Sequence, residues 1–420
     1  MRQLLSLLLA VGVIGSASAD SFLIKNATVH TMSAAGTQEG ADILITDGRI
    51  AAIGRGVQAP AGAQVIDANG HPVTPGLFGG LTHLGLEEIG LEPSVDDYAL
   101  KLGNMRPEFD VTLAFDPASA VVGVGRVAGV TFAMLTPSAE EGRGNQPGGT
   151  IIAGQGSVVA LDGAPTTYSR ALFLDFGGDA SGLAGGTRAA EFMLLKQAFT
   201  EVRSPKSLLP DDQRVLTPAG RQALGEFIGG AGVFVFNVDR ASDILQVLAF
   251  AQKEKLRIAI SGGAEAWRVS GQLAAAKVPV IINALADLPG TFDAVGATLE
   301  NAARLNKAGV RVAFTLDSTE PHNIRKLRQT AGVAVAHGLP WDAGLAGLTR
   351  VPAEIFGVAD RFGTIERGRA ADLVLWSGDP LDVTSLPDRV FIAGKLQSDR
   401  SRQTELRDRY LERVRNGTAR

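Results

Sequence analysis

The sequence predicts an α/β protein in which a (β/α)8 TIM-like barrel carries a small composite β-sandwich made from the N- and C-terminal segments. Three observations predict this fold class. Between about residues 72 and 350, short β-rich runs alternate with segments of helical period, a pattern typical of parallel sheets, and the length favours a barrel. Both ends of the chain instead alternate apolar and polar residues, as antiparallel strands do. The 51 glycines among 420 residues suit many short connections between strands and helices.

The first residues predict export. Residues 1–3 carry one positive side chain, residues 4–14 are largely apolar, and the Ala-Ser-Ala run at 17–19 is typical of a signal-peptide cleavage site. The apolar run is shorter than the roughly 20 residues that span a bilayer. We therefore expect a signal peptide at residues 1–19, a periplasmic or extracellular protein, and no membrane span after cleavage.

Strand patterns lie on both sides of the predicted barrel. They occupy residues 22–30 and 41–53 near the N-terminus and residues 371–376 and 389–395 near the C-terminus. Two prolines and a glycine within residues 72–76 mark the change of architecture. We predict the following division: a composite β-sandwich from residues 20–72 and 360–397, a barrel at 73–359, and a C-terminal surface helix at 398–420.

Within the barrel segment, β-rich runs and helical periods follow one another in order. The strand candidates are residues 129–135, 232–236, 256–260, 278–282 and 310–315. The helix candidates are residues 188–202, 241–253, 267–276 and 294–307.

Charge and motif content narrow the choice of partner. The 40 Lys and Arg against 44 Asp and Glu give a formal net charge of −4, which argues against nucleic acid or an acidic membrane surface. The glycine-rich stretch at 142–149 lacks the Gly-Lys-Ser/Thr ending of a phosphate-binding loop. The sequence therefore predicts a small-molecule ligand.

Several fragments, taken in their order and spacing, match the landmarks of one enzyme family. They are the runs DGRI at 47–50, PGL at 75–77, DRASDI at 239–244, GAEAW at 263–267 and GTIERGRAADLV at 363–374. With them the chain resembles the metal-dependent amidohydrolase superfamily, in particular its imidazolonepropionase-like branch. The resemblance implies a barrel with a composite sandwich, and hydrolysis at a carbonyl carbon by water that one or two zinc-like ions activate.

The resemblance also implies where the metal ligands lie, and most of those positions differ here. The first strand of the family ends in Asp-x-His-x-His, whereas residues 79–83 place Leu81 at the first imidazole position and keep only His83. Phe173 aligns with the lysine that bridges two metals in the branch.

Metal-ligand positions of the family are also replaced in the later strands. Asn237 and Asp239 replace the two imidazoles of a His-x-His run, and Gly262 replaces the histidine of a Glu-His-Gly run. Asp317 retains the aspartate that closes the last strand. Of the five histidines, only His83 and His322 are placed to reach the barrel mouth, so we expect no binuclear centre of the family type.

Three functional hypotheses remain open. The first is a pseudoenzyme that binds a small ligand, or that pairs with an intact amidohydrolase paralogue or with its own copies. The second is a mononuclear hydrolase of C–N bonds, in which His83, Asp317 and His322 hold one zinc-like ion and Asp317 is the general base. The third is metal-free hydrolysis by carboxylates, with these candidates: Glu87, Glu88, Asp239 and Glu265. The cofactor prediction is accordingly none, or one divalent metal.

A further set of polar residues is predicted to contact the substrate or ligand. They lie in the glycine-rich loop or just beyond the strand ends, where ligands bind in barrels of this kind. They are Arg143, Asn237, Asp239, Arg240 and Glu265.

Overall fold

The computed structural model describes residues 21–90, 92–142, 147–204, 210–316, 321–415 and 417. The predicted signal peptide therefore lies outside the described residues. Within them the chain combines one sheet made from both terminal segments with a central region of strands and helices. None of the helices in these ranges is both long and apolar enough to cross a membrane.

Where the structure describes them, the terminal segments pair in one sheet of eight strands. Its order is β17-β16-β15-β5-β1-β2-β3, with β4 beside β1. The strands are β1 (Phe22–His30), β2 (Thr37–Thr46), β3 (Arg49–Gly54), β4 (Gln64–Asp67), β5 (Pro72–Pro75), β15 (Leu373–Trp376), β16 (Pro387–Ile392) and β17 (Lys395–Leu396). The antiparallel pair of β5 and β15 joins the two ends of the chain, and Trp376 Nε1 donates a hydrogen bond to Thr74 Oγ1 at 2.9 Å.

In its described residues the central region contains nine strands in two sheets. One sheet has the order β14-β13-β12-β11-β10-β8, and the other has the order β6-β7-β9. The strands are β6 (Leu77–Thr82), β7 (Val130–Leu135), β8 (Ile152–Gly156), β9 (Val158–Ala160), β10 (Ala171–Asp175), β11 (Val233–Val238), β12 (Ile258–Gly262), β13 (Val280–Ile282) and β14 (Val312–Phe314). Neighbours are parallel except for β8 and β9, which run antiparallel to β10 and β7.

One stretch of chain links the two central sheets. Strand β8 pairs with β10, and after Ser157 the same stretch continues as β9 and pairs with β7. Gly156 lies at this junction against strand β7, where an added Cβ would be 1.9 Å from the carbonyl oxygen of Leu135.

Strands β14 and β6 stand at the two other ends of this array. Between them the described residues make a hydrogen bond from Leu81 N to Thr315 Oγ1, and not a ladder. The α/β architecture is thus present, but strand pairing does not establish the predicted closed barrel.

The central strands nevertheless share one apolar core. Inward side chains from β6, β7, β9, β10, β11, β12, β13 and β14 belong to a single buried cluster. Its members include Phe78, Phe132, Val158, Phe173, Val235, Ala259, Ile281 and Ala313. Because this core fills the space below the carboxyl ends of the strands, the polar side chains that follow each strand lie above it.

Ten α helices accompany these strands in the described ranges. They are α1 (Ala120–Val127), α2 (Arg188–Arg203), α3 (Pro218–Ile228), α4 (Ala241–Glu254), α5 (Ser270–Ala275), α6 (Asn301–Lys307), α7 (Leu327–Ala336), α8 (Trp341–Gly347), α9 (Arg350–Ile355) and α10 (Arg402–Arg415). Helix α10 buries none of its residues.

Candidate functional site

A cavity of about 750 Å³ lies at the carboxyl ends of the central strands. Its wall contains the last residues of β10 and β12, a residue near the end of β11, and residues of the loops that follow β7, β10, β13 and β14. In parallel α/β folds the ligand binds at this end of the strands, because the loops there can vary without disturbing the core. The cavity is therefore the candidate functional site.

Three polar residues from adjacent strands form part of the cavity wall. Asp175, Asn237 and Ser261 are partners in the register of β10, β11 and β12. Asn237 Nδ2 donates a hydrogen bond to Asp175 Oδ1 at 3.0 Å. Burial raises the pKa of Asp175, while the hydrogen bonds from Asn237 and from the backbone of Ala139 oppose that rise. The wall thus carries a carboxyl, an amide and a hydroxyl side by side.

Gly262 and Asp239 occupy the next part of the wall, and their geometry is linked. Asp239 Oδ1 accepts a hydrogen bond from Ala264 N at 2.9 Å. Gly262 has a φ of +80°, and an added Cβ would lie 2.7 Å from Asp239 Oδ1 and 3.2 Å from Asn237 Oδ1. The Asp239 carboxylate therefore fills the space in which a side chain at position 262 would begin.

The two remaining positions of ligand loss differ in their placement. Leu81 lies in the cavity wall and presents an alkyl surface to it. Phe173 belongs to the buried core below and is not part of the wall. Neither side chain can donate a lone pair to a metal ion.

His83 is buried and is not part of the cavity wall. The side chain is 2% exposed, and its ring is stacked on Tyr98 with the ring centroids 3.7 Å apart. Its Nε2 lies 3.0 Å from Ser138 Oγ, and its Nδ1 lies 3.5 Å from Glu87 Oε2. Burial lowers the pKa of His83 to about 3, so the ring is neutral near pH 7. These contacts give His83 a structural role.

Three other predicted site residues lie outside the cavity wall. His322 is exposed on the short helix Pro321–Lys326, and Arg240 is exposed just before α4. Glu265 is buried, with Oε1 accepting from Gly296 N at 2.9 Å and Oε2 accepting from Ala241 N at 3.1 Å. Arg143 and Asp317 lie outside the described residues, so their assignments stay predictions.

The described donors do not fit the binuclear centre that the resemblance implies. Positions 81 and 262 offer no side-chain donor, and the imidazole of His83 is directed to Ser138, Glu87 and Tyr98. In the part of the chain that the structure describes, no group of three or more His, Cys, Asp or Glu residues is arranged to hold a metal ion.

The structure adds three acidic residues that sequence reasoning missed. Asp175, Asp179 and Asp287 all line the cavity. Asp175 ends strand β10 two residues after Phe173, so strand alternation places both side chains on one face. This spacing from Phe173 is the sequence signal that could have identified Asp175. Asp179 and Asp287 lie in loops, where the sequence does not fix the direction of a side chain.

An ionic cluster lies next to residues of the cavity wall. Arg188 Nε donates to Asp243 Oδ2 at 2.9 Å, and Arg188 Nη2 donates to Asp293. The backbone N–H of Gly178 also donates to Asp293, which lies between the wall residues Thr291 and Ala294. The cluster therefore ties the loop after β13 to the loop after β10.

Glu191 lies near this cluster and has a raised pKa. It is 1% exposed, and its Oε2 accepts a hydrogen bond from Gly177 N at 3.1 Å. Burial raises its pKa to about 7, and the nearby carboxylates of Asp243 and Asp293 contribute to the rise, while Arg188 opposes it. The folded protein thus holds a proton on Glu191 at pH values where an unfolded chain would release it.

This shift predicts a pH-dependent stability. The contribution of Glu191 is complete below about pH 4.5 and is lost as the pH rises through about 7, because the unfolded chain then binds fewer protons than the folded one. We expect Glu191→Gln to raise the free energy of unfolding near pH 8 by on the order of 1–3 kcal/mol, and to flatten its dependence on pH. Urea unfolding between about pH 5 and about pH 8 measures both effects.

Glu201 on the same helix provides a matched control. It is also buried, but its two carboxylate oxygens accept hydrogen bonds from Val215 N and Leu216 N. Glu201→Gln should therefore lower the free energy of unfolding at every pH. Parallel pH curves for the wild type and Glu191→Gln would contradict the assignment of the shift to Glu191.

Comparison with known proteins finds a matching family model and several similar proteins. The amidohydrolase family model matches residues 254–399. An imidazolonepropionase of Acidiphilium cryptum is 29% identical over 384 residues, which cover 83% of this chain and 89% of that protein. A shorter match to the amidohydrolase tasK of Hapsidospora irregularis is 44% identical over 63 residues, or 15% of this chain and 6% of that protein.

Solved structures show the same relationship. The crystal structure of an amidohydrolase from Thermotoga maritima has a TM-score of 0.79 and 27% identity, and the match covers 90% of this chain and 100% of that one. A Xaa-Pro dipeptidase with bound methionine has a TM-score of 0.52 and 16% identity, covering 90% of this chain and 100% of that one. At that identity the dipeptidase shares the fold alone.

Proposed function

This chain belongs to the amidohydrolase family, and on that premise we propose that it is an exported, catalytically impaired member. Its role is to bind a small ligand in the cavity at the carboxyl ends of the central strands. Export rests on the N-terminal pattern of residues 1–19.

One observation carries this proposal. Leu81, Asn237, Asp239 and Gly262 stand where the resemblance implies imidazole ligands, and all four line the same cavity. A zinc-like ion lowers the pKa of bound water to about 7 when imidazole, thiolate or carboxylate donors hold it with an open position. Here an alkyl group, an amide, a carboxylate and a bare backbone take those places. The cavity is kept, while the donor set of the family is not.

The wall suits binding by hydrogen bonds and apolar contact. Asp175, Asn237 and Ser261 present polar groups at the strand ends, and Leu285 and Leu288 present apolar side chains from the loop after β13. A ligand with one polar end and one apolar end would satisfy both parts. The described residues do not provide the ligand set of the family's metal centre.

The competing hypothesis is a mononuclear hydrolase of C–N bonds that uses His83, Asp317 and His322. In it His83 would have to leave its contacts with Tyr98 and Ser138, because the ring is not part of the cavity wall. His322 would have to move from its exposed position to the wall. Both movements cost contacts that the ligand-binding hypothesis leaves in place.

Metal content and turnover of the purified full-length protein test the proposal. We expect well below one equivalent of zinc after growth in zinc-supplemented medium, and no hydrolysis of dipeptides or N-acyl amino acids above background. His71→Ala is a matched control, because it removes an exposed imidazole on the terminal sheet. Stoichiometric zinc that is lost in both His83→Ala and Asp317→Ala but not in His71→Ala, together with turnover, would establish the hydrolase instead.

The partner is part of the same proposal. A pseudoenzyme of this kind pairs with an intact amidohydrolase paralogue or with its own copies. Size-exclusion chromatography with light scattering on protein from the native source tests this part. A free monomer without a companion chain would contradict it and would leave ligand binding unaffected.

A further inference from the structure

A serine and a histidine meet where two neighbouring strands of the central region end. Strands β6 and β7 are parallel, and their register pairs Thr82 with Leu135. His83 directly follows β6, and Ser138 lies three residues after the end of β7. Because the ends of neighbouring parallel strands meet, the two side chains come together, and His83 Nε2 lies 3.0 Å from Ser138 Oγ. This is the distance at which an imidazole can act as the base for a hydroxyl nucleophile.

A carboxylate lies at the other nitrogen of the same imidazole. The chain turns after His83, whose carbonyl oxygen accepts hydrogen bonds from Leu86 N at 2.8 Å and from Glu87 N at 3.1 Å. The turn brings Glu87 back to the ring, where its Oε2 lies 3.5 Å from His83 Nδ1. Both side chains are buried, with His83 2% and Glu87 6% exposed. The order of groups is therefore hydroxyl, imidazole, carboxylate, which is the order that activates a serine nucleophile.

Tyr98 holds two of these groups in place. Its ring is stacked on the ring of His83 with 9° between the two planes, and its carbonyl oxygen accepts a hydrogen bond from Ser138 N at 3.0 Å. Groups that packing and backbone hydrogen bonds already fix lose little freedom when they react. The serine and the imidazole are thus arranged before a ligand binds.

Ser138 is the member of this set that lines the cavity. It is half-buried in the cavity wall, whereas His83 and Glu87 are buried and are not part of the wall. A bound acyl group can therefore be attacked by the hydroxyl of Ser138. Water that would release the acyl group afterwards meets no exposed imidazole at this position. The arrangement favours formation of an acylated serine over its hydrolysis.

We propose that Ser138 is a site of covalent acylation by an activated acyl compound of the aryl ester class, with His83 as the base and Glu87 as the residue that positions this base. In the step, Ser138 Oγ attacks the carbonyl carbon, and its proton passes to His83 Nε2 while Nδ1–H faces Glu87. The bond from the carbonyl carbon to the aryl oxygen then breaks, and the phenolate leaves with the bonding electron pair. The step requires no oxidant, reductant or metal ion.

This inference deepens the proposed function and rests on it in one respect, namely that the cavity binds a small ligand. It adds that the ligand carries an acyl group with a good leaving group. An apolar ester suits the wall, because Leu285 and Leu288 line the cavity and are 46% and 76% exposed. Amides should not react, since an amine leaves only when an acid protonates it, and the imidazole is buried.

Stopped-flow kinetics and intact-protein mass spectrometry with 4-nitrophenyl hexanoate test the inference on the purified full-length protein. We expect a burst of one equivalent of 4-nitrophenolate, a mass increase of one hexanoyl group, and a modified peptide that contains the acyl group on Ser138. The phase after the burst should be at least about tenfold slower than the burst. The 4-nitroanilide of hexanoic acid has nearly the same shape and should not react above background. EDTA should leave the burst unchanged.

Variants separate the roles of the three groups. Ser138→Ala should abolish the burst, whereas Ser398→Ala, which removes an exposed hydroxyl just after β17, should leave it unchanged. His83→Gln should lower the limiting rate of acylation about a hundredfold. Because Ser138→Ala removes only one half-buried hydroxyl, it keeps the test decisive even if His83→Gln does not fold.

Glu87→Gln tests the positioning role. The variant keeps the shape of the side chain, and it should lower the limiting rate of acylation at least about tenfold. The ester concentration that gives half of that rate should stay unchanged, because Glu87 is not part of the cavity wall. A purely structural role of Glu87 would change this concentration together with the rate. Equal limiting rates in the wild type and Glu87→Gln would remove Glu87 from the proposal.

The outcomes separate this inference from the proposed function. Acylation of a lysine or of another serine, a burst that survives Ser138→Ala, or no acylation of the folded wild type overturns the inference. Any of these results, combined with little zinc and no amide turnover, leaves the ligand-binding function standing. Stoichiometric zinc with metal-dependent amide turnover contradicts the proposed function itself.

Discussion

Replacing Gly156 with alanine should lower the free energy of unfolding by about 3 kcal/mol or more. The new Cβ would lie 1.9 Å from the carbonyl oxygen of Leu135, which is a backbone atom of the neighbouring strand. A flexible side chain could turn away, but here two strands must separate. The affected hydrogen bond is that from Leu135 N to Ser157 O, at 3.0 Å. Urea unfolding followed by circular dichroism measures the loss.

Gly271 offers a control of opposite sign. It lies in helix α5, and an added Cβ there would meet no atom within 4 Å. Alanine is the better helix former, so Gly271→Ala should raise the free energy of unfolding by up to about 1 kcal/mol. If Gly156→Ala stays within about 0.5 kcal/mol of the wild type, the two central sheets are not held together as tightly at this junction as the structure indicates.

Replacing His83 with alanine should lower the free energy of unfolding by about 2–4 kcal/mol. The substitution removes a buried ring that is stacked on Tyr98, and it leaves Ser138 and Glu87 without the imidazole. The pseudoenzyme hypothesis by itself predicts that His83→Ala barely changes the free energy of unfolding, because it treats His83 as a surviving ligand that holds no metal. The burial of the ring changes that expectation.

A chelator distinguishes packing from metal binding at this position. If His83 acts by packing alone, dialysis against EDTA leaves the unfolding of the wild type unchanged while His83→Ala is destabilised. His71→Ala, which truncates an exposed histidine, should be close to neutral. A wild type that loses as much stability in EDTA as it does on His83→Ala would identify a bound metal ion as the stabilising partner.

Local patterns predict the elements of the fold well. The β-rich runs at 232–236, 256–260 and 278–282 correspond to β11, β12 and β13, because a short apolar run between turn residues is fixed by nearby sequence. Helices α2 and α4 begin at the predicted residues, Arg188 and Ala241. The antiparallel course of β8 and β9 could not be predicted, since it depends on which strand edges are open to pairing.

The candidate site is also predictable from the sequence only in part. Leu81, Asn237, Asp239 and Gly262 lie together because each follows or ends a strand, and the ends of neighbouring parallel strands meet. The surroundings of Glu265 could not be predicted, because its carboxylate binds backbone N–H groups that are distant in sequence.

The loop after β13 shows a second limit of local patterns. A helix is predicted over residues 294–307, but α6 begins only at Asn301. The preceding Asp293 is held instead by Arg188, which is 105 positions away along the chain. A contact at such a separation has no signature in the local sequence.

The pairing of β5 with β15 sets the order in which this protein can be completed. Thr74 and Trp376 are 302 positions apart, yet they share a hydrogen bond at the centre of the terminal sheet. During synthesis, the edge of β5 stays unpaired until β15, about 300 positions further along the chain, has left the ribosome. Contacts so distant in sequence slow folding, and an unpaired strand edge invites association with other chains. Nascent or prematurely terminated chains are therefore the forms of this protein most exposed to aggregation, and the ones for which a chaperone matters most.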